Sequence, residues 1–160
     1  MTQKELNIRY KEYGSPDELP EDEKCLAGEA IEATVNSYSP YSKFHVGAAV
    51  RLSNGETVRG ANQENMAYPS GLCAERTALF YASTKYPDGC MTAIAVAASQ
   101  DGKICETPAY PCGACRQVMA EYQTKSGHDM KVILVGSRKT LVFDKVDDIM
   151  PFIFDSLRQK

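Results

Sequence analysis

Apolar and polar residues alternate with two different periods along this chain, and each change of period marks an element. Leu6, Ile8 and Tyr10 stand between polar neighbours, the period-two pattern of a short N-terminal strand at a sheet edge. "SPDELP" reads as a connector. Acidic residues then open an amphipathic helix from Glu21 to Asn36, with Leu26, Ala30, Ile31 and Val35 facing inward. In "HVGAAVRLSNGETVRGAN", Val46 to Leu52 and Thr57 to Ala61 flank Asn54-Gly55, which predicts a hairpin closed by a type I′ turn. A helix is expected from Ala74 to Lys85, with Leu79 and Phe80 fixing it to the sheet, and another from Ala114 to Lys125. "TAIAVAAS" and "KVILVGS" have the apolar continuity of buried strands; "TLVF" is a further strand, and a short helical tail follows "DDIMPFIF". Buried strands alternating with helices predict a layered α/β fold carrying an antiparallel hairpin.

Composition adds boundaries to that picture. With 160 residues and 43% hydrophobic content the chain supports one globular domain over 1–160, and no repeat or long linker divides it. The net charge of −3 comes with no lysine or arginine cluster, which argues against a nucleic-acid partner. No apolar run reaches membrane-spanning length, and the N-terminus lacks the apolar core of a signal peptide, so a cytoplasmic protein without a membrane partner is expected. In that compartment the six cysteines stay reduced.

Three of the cysteines have spacings that call for chemistry. Cys112 and Cys115 form a C-x-x-C pair in "YPCGACRQVMAEY" at a helix entrance, where the helix dipole favours thiolates. Such a pair serves either a thioredoxin-like redox site or half a zinc site; its late place in the chain favours the metal. Cys73, also at a helix start in "GLCAERTALFYA", is the natural third ligand. Three protein ligands leave zinc one open position, as in catalytic sites, whereas a fourth thiolate from Cys25, Cys90 or Cys105 would make the site structural. None of those three belongs to a second C-x-x-C, and they read as small buried apolar residues. His45, on a strand, and His128, in a polar loop, read as structural or solvated.

Three thiolates give the zinc site a net charge of −1, which blunts its effect on water. Arg76, three residues after Cys73 on the same helical face, is placed to temper that charge, unless it is a plain surface ion-pair partner. Glu75 is then a carboxylate outside the ligand set, available for general acid/base work.

"CAER" followed by "PCGAC" resembles the cytidine deaminase family in its small three-cysteine form, whose relatives carry the zinc-deaminase signature of histidine or cysteine, x-E, then P-C-x-x-C. "YSPYSKFHVGAAV", "NQENMAYPSGLCAERTALF" and "IMPFIF" extend the resemblance from about Leu26 to Phe154. It implies a three-layer α/β/α fold with a central mixed sheet of about five strands. It also implies one Zn2+ per subunit on Cys73, Cys112 and Cys115, with Glu75 as proton shuttle and the Ala74 backbone contacting the base. Asn62 and Glu64 then bind ribose hydroxyls; on their own they read as loop residues capping backbone groups. Phe44 becomes an aromatic wall beside the nucleoside, and Phe154 reaches into a neighbouring subunit's pocket in a homotetramer. Gln63 departs from the family's usual apolar residue, and residues 1–20 extend beyond the minimal family chain, where an added edge strand is the simplest reading.

The activity this implies is hydrolytic deamination of cytidine and 2′-deoxycytidine in pyrimidine salvage, with Glu75 protonating N3 and later the leaving amine. Two other readings stay open: a deaminase of another small nucleoside or nucleotide, such as blasticidin S, and a non-catalytic zinc-stabilised module in which Glu75 only serves the helix dipole.

Overall fold

The computed structural model describes residues 1–154, and its layers follow from where the apolar stripes fall. β2 (His45–Leu52), β3 (Thr57–Ala61), β4 (Met91–Gln100), β6 (Lys131–Val135) and β7 (Thr140–Phe143) form the body of one sheet. Two short strands complete it, β1 (Lys11–Tyr13) on β7 and β5 (Lys103–Ile104) on the end of β4. The order is β1-β7-β6-β4-β2-β3. Only β4 and β6 run parallel; every other pairing is antiparallel, so the sheet is mixed.

α1 (Glu21–Ala33) covers one face, burying Leu26, Ala27 and Ala30 against Ala49, Ala95 and Ile133. α2 (Ala74–Lys85) and α3 (Gly113–Ser126) cover the other, where Ala78, Leu79 and Met119 pack on Val50, Ile94 and Leu134. Residue alternation along β4 serves both layers at once, since Ala93, Ala95 and Ala97 face α1 while Ile94 and Val96 face α2 and α3. The three-layer arrangement is the expected one; the sheet has seven strands rather than about five, the surplus being the three-residue β1 and two-residue β5.

Gly60 brings α2 close to the sheet. A Cβ there would lie 2.4 Å from the Ala78 nitrogen and 2.9 Å from the Ala74 carbonyl oxygen, so only glycine admits the helix at this distance.

Several local expectations are corrected. The N-terminal strand is Lys11–Tyr13, not Leu6–Tyr10. β7 offers an edge of four residues, which pairs with residues 11–13, and Leu6 and Ile8 lie exposed beyond it. Tyr10 still packs its ring 5.5 Å from that of Phe143. The first long helix ends at Ala33 and tightens into a 3-10 turn over Thr34–Asn36, which swings Val35 outward to 85% exposure, not inward.

The hairpin turn at Asn54-Gly55 is not type I′, because Asn54 does not have a positive φ and only Gly55 does, at +87°. The Gly55 N–H donates to the Leu52 carbonyl and the Leu52 N–H to that of Glu56, a type I turn closed by a glycine bulge. The left-handed pair required by type I′ occurs instead at Asp101-Gly102, φ +51° and +73°, between β4 and β5.

Phe80 does not hold α2 to the sheet. It lies one position past fully buried Leu79, is 41% exposed, and meets Tyr122 of α3 edge-on at 6.4 Å. Cys25 is exposed rather than buried; Cys90 and Cys105 are half-buried. The helical tail expected after "DDIMPFIF" lies outside the described residues. No helix among those described is long and apolar enough to cross a membrane.

Candidate active site

α2 and α3 share one layer, and both begin at a cysteine. Cys73 is the N-cap of α2 and Cys112 the N-cap of α3; neither side chain caps its own helix, so both sulfurs are free to face outward. Cys115, one turn into α3, is buried. The Sγ atoms of Cys73, Cys112 and Cys115 all lie within 4.8 Å of one another, with Cys112 and Cys115 3.4 Å apart. Tetrahedral zinc with Zn–S bonds of ~2.3 Å sets its sulfurs ~3.8 Å apart, inside that range. No other histidine, cysteine or carboxylate among the described residues joins the cluster, so the donor set is three thiols.

The electrostatics fit a cation. A hydrogen bond from the Cys115 thiol, helped by Arg76 and Cys112 against the cost of burial, lowers the Cys73 pKa to about 5. The same bond, together with burial and the nearby Glu75, pushes Cys115 far up. One sulfur thus ionises readily, and ionising Cys115 beside it requires positive charge among them. Arg76 supplies part of that charge, its Nη2 donating to Cys73 Sγ at 3.8 Å. The expected position of Arg76 against the sulfurs is therefore observed.

Glu75 is 4% exposed, two residues from Cys73 in the first turn of α2. Burial pushes its carboxyl above the usual range, and the charge on Cys73 pushes the same way. It lines a cavity of about 370 Å³ together with Cys73, Cys112, Ala74 and Arg76. A buried acid beside a three-thiol cluster, at the wall of a cavity this size, can exchange protons with a small molecule held there.

The opposite wall comes from the end of β3 and the start of β2. Phe44, Asn62 and Glu64 all line the cavity, as expected. Asn62 Oδ1 accepts from the Val46 N–H at 2.9 Å and from Ser37 Oγ, while Nδ2 donates to the Phe44 carbonyl at 3.0 Å. Glu64 accepts from the backbone N–H groups of Tyr41 (2.9 Å) and Ser42 (3.2 Å) and from the Ser42 hydroxyl. The Ser42 hydroxyl foremost, with those two N–H groups, holds Glu64 below the usual carboxylate range. Both residues thus cap backbone groups and face the cavity. Gln63, between them, also lines the cavity, and its Nε2 donates to the Asn36 carbonyl at 3.3 Å.

Phe154 does not line this cavity; it is 85% exposed, and its carbonyl accepts from Gln117 Nε2 at 2.8 Å. Tyr68, Leu72 and Tyr110 do line it, and sequence reasoning did not single them out. The signal for Tyr110 was its place two residues before Cys112; exposed Tyr68 sits in a 3-10 turn with no period to mark it. His128 is exposed, and half-buried His45 belongs to β2.

Residues 20–128 match the family model of the cytidine and deoxycytidylate deaminase zinc-binding region. A cytidine deaminase of Halalkalibacterium halodurans is 43% identical over 133 residues, covering 83% of this chain and 94% of that relative. One of Sporosarcina psychrophila is 40% identical over 135 residues, covering 83% and 91%. The crystal structure of cytidine deaminase from Burkholderia pseudomallei aligns with a TM-score of 0.68 at 38% identity, covering 81% of this chain and 97% of that one. That of the Mycobacterium tuberculosis cytidine deaminase aligns with a TM-score of 0.65 at 31% identity, covering 84% and 98%. β1 precedes the matched region, whereas α2, α3 and the three thiols lie within it. By sequence over most of its length, and by fold, the chain belongs to the cytidine deaminase family.

Proposed function

We propose that this chain hydrolytically deaminates cytidine and 2′-deoxycytidine to the corresponding uridine nucleosides and ammonia, as a cytoplasmic enzyme of pyrimidine salvage. The observation that carries the reading is buried Glu75 beside the Cys73, Cys112 and Cys115 sulfurs, at the wall of a cavity of nucleoside size. Those three cysteines would hold one Zn2+ per subunit, and zinc when bound supplies Lewis-acid activation of water. Glu75 accepts a proton from the attacking water and passes it to N3 of the pyrimidine, then takes the proton of the new C4 hydroxyl and passes it to the leaving amine as the C4 carbonyl forms. The Ala74 backbone contacts the base, and Phe44 offers it a flat wall. Arg76, donating to Cys73, tempers the sulfur charge.

Donor and acceptor counts suit a ribose hydroxyl. Asn62 has both Oδ1 lone pairs and one Nδ2 proton engaged, which leaves one N–H to donate. Glu64 is an acceptor only. A hydroxyl that accepts from Asn62 and donates to Glu64 satisfies both. A nucleotide suits the site less well, since among the described residues the lining carries two carboxylates and one cation, Arg76, which is engaged with Cys73. The exposure of Phe154 and its absence from the lining of its own cavity are compatible with a homotetramer in which a neighbour donates that ring.

Ultraviolet difference spectra and ammonia release with the zinc-loaded protein test the reading. Cytidine and 2′-deoxycytidine are expected to be consumed and cytidine 5′-monophosphate spared. Turnover of the nucleotide alone, or of none of the three, would overturn it.

A further inference from the structure

His45, half-buried on β2, touches neither the three thiols nor the cavity, yet it ends a chain of hydrogen bonds that reaches Asn62. His45 Nδ1 lies 3.0 Å from Ser39 Oγ, Ser39 Oγ lies 3.0 Å from Ser37 Oγ, and Ser37 Oγ contacts Asn62 Oδ1 at 2.5 Å. Ser39 is buried, and the other members are half-buried.

The direction of each bond follows from what each group can give. The Val46 N–H can only donate and the Phe44 carbonyl can only accept, which fixes the Asn62 amide with Oδ1 toward Val46 and Nδ2 toward Phe44. Ser37 must then donate its single hydroxyl proton to Asn62 Oδ1. That proton being used, Ser37 and Ser39 can bond only if Ser39 donates. Ser39 then has no proton left for His45, so the third bond exists only when His45 carries a proton on Nδ1 and donates it.

We infer that His45 is a positioning residue for nucleoside binding: its Nδ1–H, relayed through Ser39 and Ser37, orients the Asn62 amide so that its remaining N–H faces the ribose. The chemistry demanded of the substrate is a sugar hydroxyl that accepts from Asn62 while donating to Glu64. Removing the Nδ1 donor frees the Ser39 proton to turn elsewhere and loosens Ser37, so the Asn62 amide, still held by Val46 and Phe44, loses its third bond and aims its remaining N–H less tightly. His45 bonds to no substrate atom, so the expected loss is in binding and not in the chemical step.

This inference rests on the proposed nucleoside activity, and two measurements separate the failure of one from the failure of the other. Long-range 15N–1H correlation spectra of the wild-type holoprotein at neutral pH read the imidazole without any substrate: Nδ1 is expected to carry the proton. An Nε2–H tautomer would overturn the inference whatever the protein catalyses. Kinetics of Ser39→Ala, His45→Leu and His45→Asn then use cytidine and 2′,3′-dideoxycytidine, the latter lacking the 2′- and 3′-hydroxyls. Loss of one such bond corresponds to about a five-fold rise in the cytidine KM for Ser39→Ala and His45→Leu, with kcat within about two-fold. The dideoxycytidine KM is expected to stay unchanged, and His45→Asn, which keeps an N–H donor at the Nδ1 position, to restore the cytidine value. An unchanged cytidine KM in both chain-breaking variants, or an equal rise for both nucleosides, would overturn the positioning role. A wild-type protein inactive on both nucleosides would refute the nucleoside reading and this role together, while the tautomer would still report on the bond directions.

Discussion

Cys73 and Cys112 occupy N-cap positions that serine, threonine, asparagine or aspartate usually fill, and both leave their helix uncapped by a side chain. Two caps given over to sulfur are intelligible once Cys115 and Arg76 are added, because the three sulfurs then form one donor set and Arg76 offsets part of its charge. Arg76→Gln removes the guanidinium from Cys73. Zinc should pass to a chromogenic chelator at least several-fold faster than from wild type, and an unchanged release rate would remove Arg76 from the electrostatics of the site. Glu64 gives a pH expectation. Its carboxyl is held below the usual range, so it stays ionised as pH falls toward the ordinary carboxylate pKa of about 4.3. The Glu64-dependent part of cytidine binding should therefore be flat from neutral pH down to about 5.5, and Ser42→Ala should move its onset of loss upward. A wild-type KM that already rises through that window, with no shift in the variant, would contradict this. At this scale the ligands and Glu75 were legible because fixed short spacings reveal them. The chain from His45 to Asn62 was not: Ser37, Ser39, His45 and Asn62 meet only when the turn after α1 folds beside the end of β3.

Gly60 decides where α2 sits, and so where Cys73 and Glu75 sit. Gly60→Ala sets a methyl against the backbone of Ala74 and Ala78, which overpacking data put at about 1–3 kcal/mol. A fall in the denaturation midpoint together with weaker zinc retention is expected; a fully stable variant with normal zinc would mean that α2 can move away without cost. At the sheet edge, β1 covers β7 through three residue pairs, the Tyr10–Phe143 contact and the ion pairs Lys11–Asp144 and Lys139–Glu12, each at 3.3 Å. Deleting residues 1–14 uncovers that edge, and light scattering should then detect concentration-dependent association while turnover persists. A deletion variant as monodisperse as wild type would show that β1 does not guard the edge. The long elements were legible because each carries several turns or pleats of one period. β1 and β5 were not, because three and two residues hold too little pattern and partner geometry alone fixes their place. The Asp101-Gly102 turn is the sequence signal for β5; Asn54-Gly55 carries the same signal, but its loop is one residue longer.

For the molecule as a whole, two helix N-termini converge on one side of a mixed sheet, and a loop wall opposite them closes a cavity of about 370 Å³. Layer order and the convergence of distant cysteines were legible from strand–helix alternation together with "CAER" and "PCGAC". Phe154 does not line its own chain's cavity, and a sequence period cannot reveal a role between chains. In the proposed homotetramer of about 70 kDa, four copies of the 17.6 kDa chain, Phe154→Ala should raise the cytidine KM without altering zinc content. A monomer by light scattering with full activity would contradict a shared site. The central claim, that Glu75 moves the protons of a hydrolytic deamination, is tested most directly by the kcat of Glu75→Gln on cytidine, measured beside wild type on samples of equal zinc content. A loss of about 10²- to 10⁴-fold is expected for a positioned general acid/base, and a Glu75→Gln protein that still binds zinc and turns over cytidine near the wild-type rate would contradict the account.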